Sequence, residues 1–121
     1  MKHDLGDKAR IIHIIEAISD IEFILNNIDL ENFLGNKEKK LAIERLLEII
    51  GEASNHISDK ILYNPKISAP WRKIIGTRNL IAHEYFRINY NIIYQIAKQE
   101  IIPLKEEIQK ILIDLDKYLS E

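Results

Sequence analysis

Arg78, Asn79, His83 and Tyr85 lie within the segment Trp71-Arg72-Lys73-Ile74-Ile75-Gly76-Thr77-Arg78-Asn79-Leu80-Ile81-Ala82-His83-Glu84-Tyr85-Phe86. Four residues separate the arginine from the histidine, and the tyrosine follows two positions later. Histidine, with an ordinary pKa of ~6.5, gives or takes a proton near neutrality. Arginine keeps its charge and presents a planar fork that matches a phosphate. A proton-transfer group beside a phosphate clamp is the pairing that phosphoester chemistry needs.

The spacing sets a geometric condition. An ideal helix turns ~100° per residue, which leaves Arg78 and His83 ~140° apart around the axis. Arg78 shares a face with Tyr85, and Asn79 shares one with His83. Asn79 is thus placed to orient the imidazole through a side-chain hydrogen bond. For the guanidinium to reach the same place, its long arm must bend around the helix or the helix must loosen near its end. Arg78 also falls on the apolar stripe Trp71, Ile74 and Ile81, where an unpaired arginine is costly. Its structural alternative is a salt bridge to a buried acid such as Glu52. Trp71 reads as a core aromatic with its polar edge at the rim. His3, His13 and His56 lack ligand spacing, so no metal site is expected.

The elements that must position these residues are helical. The chain has 26 isoleucines and no valine. Isoleucine favours strands intrinsically, so spacing decides. Ile11, Ile14, Ile15, Ile18, Ile21, Leu25 and Ile28 advance by threes and fours, which predicts a first helix from Leu5 to Ile28. Asn27 to Asn36 reads as a connection with room for one short turn. A second helix carries Ile43, Leu46, Leu47, Ile50, Ala53 and Ile57 and is expected to end near Lys60, before Asn64-Pro65. The third opens at Ser68-Ala69-Pro70, with the serine as N-cap and the proline tolerated in the first turn, and runs to about Tyr85. Asn89 or Asn91 caps a fourth, and Pro103 either kinks it or starts a fifth. Leu104, Ile108, Ile111, Leu115 and Tyr118 form the final stripe. The expected fold is an all-α, antiparallel bundle of four to five helices, one domain spanning residues 1–121.

Composition narrows the function. The 121 residues carry 17 basic and 19 acidic side chains, a net charge of −2, which excludes a globally basic nucleic-acid binder. Between Lys66 and Arg87, however, five basic residues (Lys66, Arg72, Lys73, Arg78, Arg87) face one acid (Glu84), a local excess of +4. That segment predicts a basic cleft on an acidic protein. The absence of cysteine removes disulfides, thiolate zinc sites and thiol catalysis. No apolar run approaches the ~20 residues of a membrane span, and early charges interrupt any signal segment, so a soluble cytoplasmic protein is expected.

The segment as a whole resembles the R-x4-H-x-Y signature of the HepT-like toxins, in the HEPN superfamily of small helical ribonucleases. Pro70-Trp71, Gly51-Glu52-Ala53 and the Tyr94…Pro103-Leu104 stretch extend the resemblance over nearly the whole chain. It implies a metal-independent endoribonuclease toxin of a type VII-like toxin–antitoxin pair, with no cofactor. The 2′-hydroxyl of RNA would attack the adjacent phosphorus, His83 moving a proton and Arg78 holding the phosphorane oxygens. Such cleavage wants both an acid and a base, and one chain offers one motif histidine. A two-fold homodimer with both copies in one cleft would supply the pair, as the resemblance also implies. By resemblance too, the antitoxin is a minimal nucleotidyltransferase that transfers AMP to Tyr85. Adducts that persisted without the Tyr85 hydroxyl would point to Tyr90 or Tyr94 instead. The competing class is a non-catalytic nucleotide- or RNA-binding module, or a helical partner of a nucleotidyltransferase.

Overall fold

A computed structural model describes residues 2–83 and 88–120, and for residues 2–5, 82 and 83 the backbone alone. Tyr85 and the side chain of His83 therefore lie outside the described residues. Among the described residues all regular structure is helical, and the fold is the all-α bundle that the spacing predicts.

The first helix, α1 (Lys2–Leu25), buries Ile11, Ile14, Ile18, Ile21 and Leu25. It stops short of Ile28 because Asn27 adopts a left-handed backbone, φ 59°, a conformation asparagine tolerates. The connection that follows holds one short helix, α2 (Leu30–Leu34), capped by Asp29, whose Oδ1 accepts from the Asn32 N–H at 2.8 Å. Its buried Phe33 meets the Tyr94 ring at 5.3 Å between centroids. Asn36 caps α3 (Lys37–Asn55) in the same way, accepting from Lys39 N–H at 3.0 Å.

The second expected helix is divided. α3 ends at Asn55, and a separate turn, α4 (Asp59–Leu62), begins after Ser58. The cause is a buried carboxylate distant in sequence. Asp7, fully enclosed on α1, accepts from the Ser58 N–H at 2.8 Å and from its hydroxyl at 2.6 Å. A backbone N–H so engaged cannot continue the α3 ladder.

α5 (Trp71–His83) begins one residue after Pro70, whose carbonyl accepts from the N–H groups of Lys73 and Ile74, both at 3.1 Å. Ser68, expected as the cap, instead donates its hydroxyl to Glu107. The buried stripe of α5 is Trp71, Ile74, Thr77 and Ile81, and Arg78 flanks it. Trp71 is core, as expected, but its polar edge is not at the rim: the indole N–H is buried and has no partner among the described residues.

Asn89 caps α6 (Tyr90–Gln95), its Oδ1 accepting from Asn91 N–H at 2.9 Å. The chain then stays helical through Pro103 by changing pitch. A π-helical stretch over Ile96–Ile101 and a 3₁₀ turn over Ile102–Leu104 lead into α7 (Lys105–Ile113). The proline ring crowds the carbonyl four residues back, and the widened turn relieves it. A last short helix, α8 (Leu115–Leu119), buries Leu115.

α3 is the central helix. It packs against α1 on one side and α5 on the other, while α7 also lies on α1. The α3–α5 approach is closest at Gly51. A Cβ there would fall on the Cβ of Arg78, 2.9 Å from its Cγ and 3.1 Å from the Ile74 carbonyl oxygen. In an ordinary helix, alanine is favoured over glycine by ~1 kcal/mol. Here the order should reverse. Gly51→Ala is expected to destabilise the fold by about 1–3 kcal/mol through overpacking, read as a lower midpoint in chemical denaturation.

Candidate active site

The site is assembled where α5 crosses α3. Arg78, about a quarter exposed, extends toward α3 and places Nη2 2.7 Å from Glu52 Oε2. Glu52 is half exposed, so the acid that meets Arg78 sits at the rim of the core and not within it. The opposite oxygen of that carboxylate lies 3.1 Å from His56 Nε2, one turn further along α3. Arg78 also donates from Nη1 to Asn79 Oδ1 at 2.9 Å. His56, Glu52, Arg78 and Asn79 thus form one continuous polar chain along the α3–α5 seam.

The oxygen of Asn79 accepts from Arg78, while the expected bond from Asn79 to the His83 imidazole involves a side chain outside the described residues. α5 keeps α-helical backbone through His83, so the helix does not loosen before the histidine. The arm of Arg78 bends. Asn79 lies ~100° around the helix from Arg78 and only ~40° from position 83, so the bond to Asn79 turns the guanidinium toward the histidine's side. Sequence reading set His56 aside as isolated. Its i, i+4 relation to Glu52 was the signal that joined it to Arg78.

The basic character of the segment is also reduced. Glu52 offsets Arg78, and Glu100 of the π-helical stretch pairs with Lys73. Arg72 remains exposed on α5, with no partner among the described residues. Arg87 lies outside the described residues.

The tyrosines divide by environment. Tyr90 donates its hydroxyl to Glu44 at 2.6 Å, and that bond, with burial, pushes its pKa up to about 12. Tyr94 is buried and donates to the Ile28 carbonyl at 2.6 Å, and burial raises its pKa as well. Neither oxygen is a ready nucleophile. Tyr63, by contrast, is 78% exposed.

A helical bundle whose α5 carries an arginine tied to the central helix, with a histidine on its last turn, defines a small all-α protein. The chain belongs to the HepT-like ribonuclease family, described as "Ribonuclease HepT-like", which it matches over residues 14–111. Among its relatives, a protein of Methanocaldococcus jannaschii described as a putative RNase is 35% identical over 103 residues, covering 84% of this chain and 93% of that one. One of Thermococcus cleftensis, described as a probable ribonuclease HepT, is 37% identical over 99 residues, covering 81% and 88%. A third, described as a putative RNase of Caldanaerobacter subterraneus subsp. tengcongensis, is 33% identical over 100 residues, covering 83% and 88%. No solved structure matches the chain significantly. Among the described residues no helix is long and apolar enough to cross a membrane.

Glu52 titrates below the ordinary 4.5, first because His56 bonds its carboxylate and then because the Arg78 charge stands beside it. The lowered folded-state value means that its contribution to stability is present above the unfolded pKa and is lost as pH falls through the folded one. His56→Ala and Arg78→Ala should each move the Glu52 carboxyl back toward 4.5, the value of an unperturbed glutamate. Carbon-13 NMR titration of the side-chain carboxyl reads this directly, and an unmoved midpoint in both variants would break the proposed chain.

Proposed function

We propose that the protein is a metal-independent endoribonuclease that cleaves RNA by attack of the 2′-hydroxyl on the adjacent phosphorus. Membership of the HepT-like ribonuclease family is the observation that carries this reading. Arg78 clamps the non-bridging phosphate oxygens, His83 moves the proton, and Asn79 sets the direction of the guanidinium. Glu52 holds the far side of Arg78 and limits the rotamers the clamp can adopt, so that less is lost when phosphate binds. The accounting of one acid and one base favours a homodimer that brings two copies of His83 to one cleft.

The setting we infer is a toxin–antitoxin pair in the cytoplasm, in which a minimal nucleotidyltransferase antitoxin transfers AMP to Tyr85. Transfer would join the tyrosine oxygen to the α-phosphorus of ATP, release pyrophosphate and lose the phenolic proton. The buried or bonded oxygens of Tyr90 and Tyr94 support Tyr85 over those two as acceptor. A phosphodiester there would put an anion seven residues along the chain from Arg78 and exclude RNA by charge and bulk.

The second reading, a non-catalytic module, has the 2.7 Å Arg78–Glu52 pair in its favour, since that pair alone justifies the arginine as a tie between helices. The two readings separate experimentally. Incubated with total RNA in EDTA, the wild-type protein should cleave, and His83→Ala should lose about 10²–10⁴ in rate at unchanged helicity. Cleavage by His83→Ala at the parental rate removes the enzyme reading. After co-expression with the cognate nucleotidyltransferase, intact mass spectrometry should find AMP adducts on the wild type and none on Tyr85→Phe. Adducts undiminished in Tyr85→Phe would move the acceptor to another tyrosine, with the exposed Tyr63 the first to examine.

A further inference from the structure

A groove of about 600 Å³ runs between α4, the loop after it and the first three turns of α5. Leu62 and Trp71 form its apolar wall, and Tyr63, Arg72, Gly76 and Asn79 line it as well. Three observations distinguish it.

Charge is the first. Four other grooves on the described surface each include a carboxylate, from Glu22 and Asp29, from Glu100 or from Asp59. This one is lined by a cation and no carboxylate. On a protein of net charge −2, such a surface suits a polyanion.

The second is Tyr63, an aromatic ring left 78% exposed at the groove. A flat, solvated ring in one groove with an arginine is the pairing that unstacked nucleobases use, the ring offering its face to the base and the guanidinium taking the phosphate.

Gly76 supplies the third. It sits inside α5, where glycine weakens a helix relative to alanine. At Gly51 the close approach of Arg78 explains the missing side chain, whereas a Cβ at Gly76 would meet nothing within 4 Å. Internal packing gives no reason for glycine at 76. An open floor, on which a planar ligand approaches the helix backbone, does.

We propose that this groove is a base-binding subsite for single-stranded RNA, with one unpaired base stacked on Tyr63 over the Gly76 floor and its phosphate on Arg72. Asn79 lines the groove and bonds Arg78, so the subsite adjoins the phosphate clamp and sets which nucleotide beside the cut is gripped. The inference rests on the ribonuclease reading for its substrate, and binding tests it apart from cleavage.

The test uses the full chain carrying His83→Ala, so that the probe stays intact, and fluorescein-labelled single-stranded RNA of mixed sequence read by fluorescence anisotropy. Tyr63→Ala should weaken binding about tenfold while Tyr63→Phe retains it, because the ring and not the hydroxyl makes the platform. Arg72→Gln should lower the salt dependence of binding by roughly one phosphate contact. Gly76→Ala should raise Tm by a few degrees, and Gly76→Leu should remain folded and yet bind RNA at least tenfold more weakly. Fully paired RNA should be indifferent to Tyr63→Ala, since its bases are not free to stack.

Unchanged affinity in both Tyr63→Ala and Gly76→Leu overturns the subsite, and if the wild type still cleaves, the ribonuclease reading survives alone. Weakened binding with a wild type that does not cleave would keep the subsite and remove the enzyme. A change of oligomeric state in Gly76→Leu by light scattering, with RNA affinity intact, would make the groove a protein interface and also overturns the proposal.

Discussion

The approach of α5 to α3 at Gly51 governs the rest of the site. With no side chain at 51, the Arg78 Cβ can lie against the α3 backbone, and from that anchor the guanidinium reaches Glu52, the next residue of α3. Any larger residue would lift α5 away and withdraw the arginine from its partner. The distance between two helices and the aim of one cation are therefore a single constraint. An exposed ion pair alone contributes little stability, so the significance of the Glu52 contact lies in direction. It fixes where a charge points on a surface where long side chains otherwise sample many rotamers.

That constraint also decides how Arg78 is aimed relative to position 83, ~140° around the same helix. The backbone stays regular, and the adjustment is made by side chains. Glu52 draws Arg78 from one side and Asn79 turns it from the other, along the arc leading to position 83. Rigid elements thus carry the residues, and the final alignment is left to a short polar chain that pH and bound anions can perturb.

The fold was legible in the sequence because isoleucine spacing at threes and fours leaves little alternative to helices, and because caps such as Asn89 act within a few residues. The errors fall where distant partners intervene. The division of α3 from α4 depends on Asp7, and the loss of Ser68 as a cap depends on Glu107. Neither could be seen from neighbouring residues. At the site, the residue types and Arg78's tie to Glu52 were legible, since a cation on an apolar stripe demands an acid. The contact of His56 with Glu52 is also legible, from their i, i+4 spacing on one helix. The open floor at Gly76 was not available, because a glycine that makes room for a helix and one that makes room for a ligand look alike until the space around each is known.

The link between Asp7 and Ser58 has a consequence for the order of assembly. It closes a loop of 51 residues, and it fixes the turn after which the chain leads to α5. Closing so long a loop carries an entropic cost that local helix formation does not meet. α1 and α3 can therefore pair early, while the α4 turn waits for the first turns of the chain to dock. The α4 turn is thus held from outside its own helix, and the region that holds Tyr63 should be among the first to open in native-state hydrogen exchange.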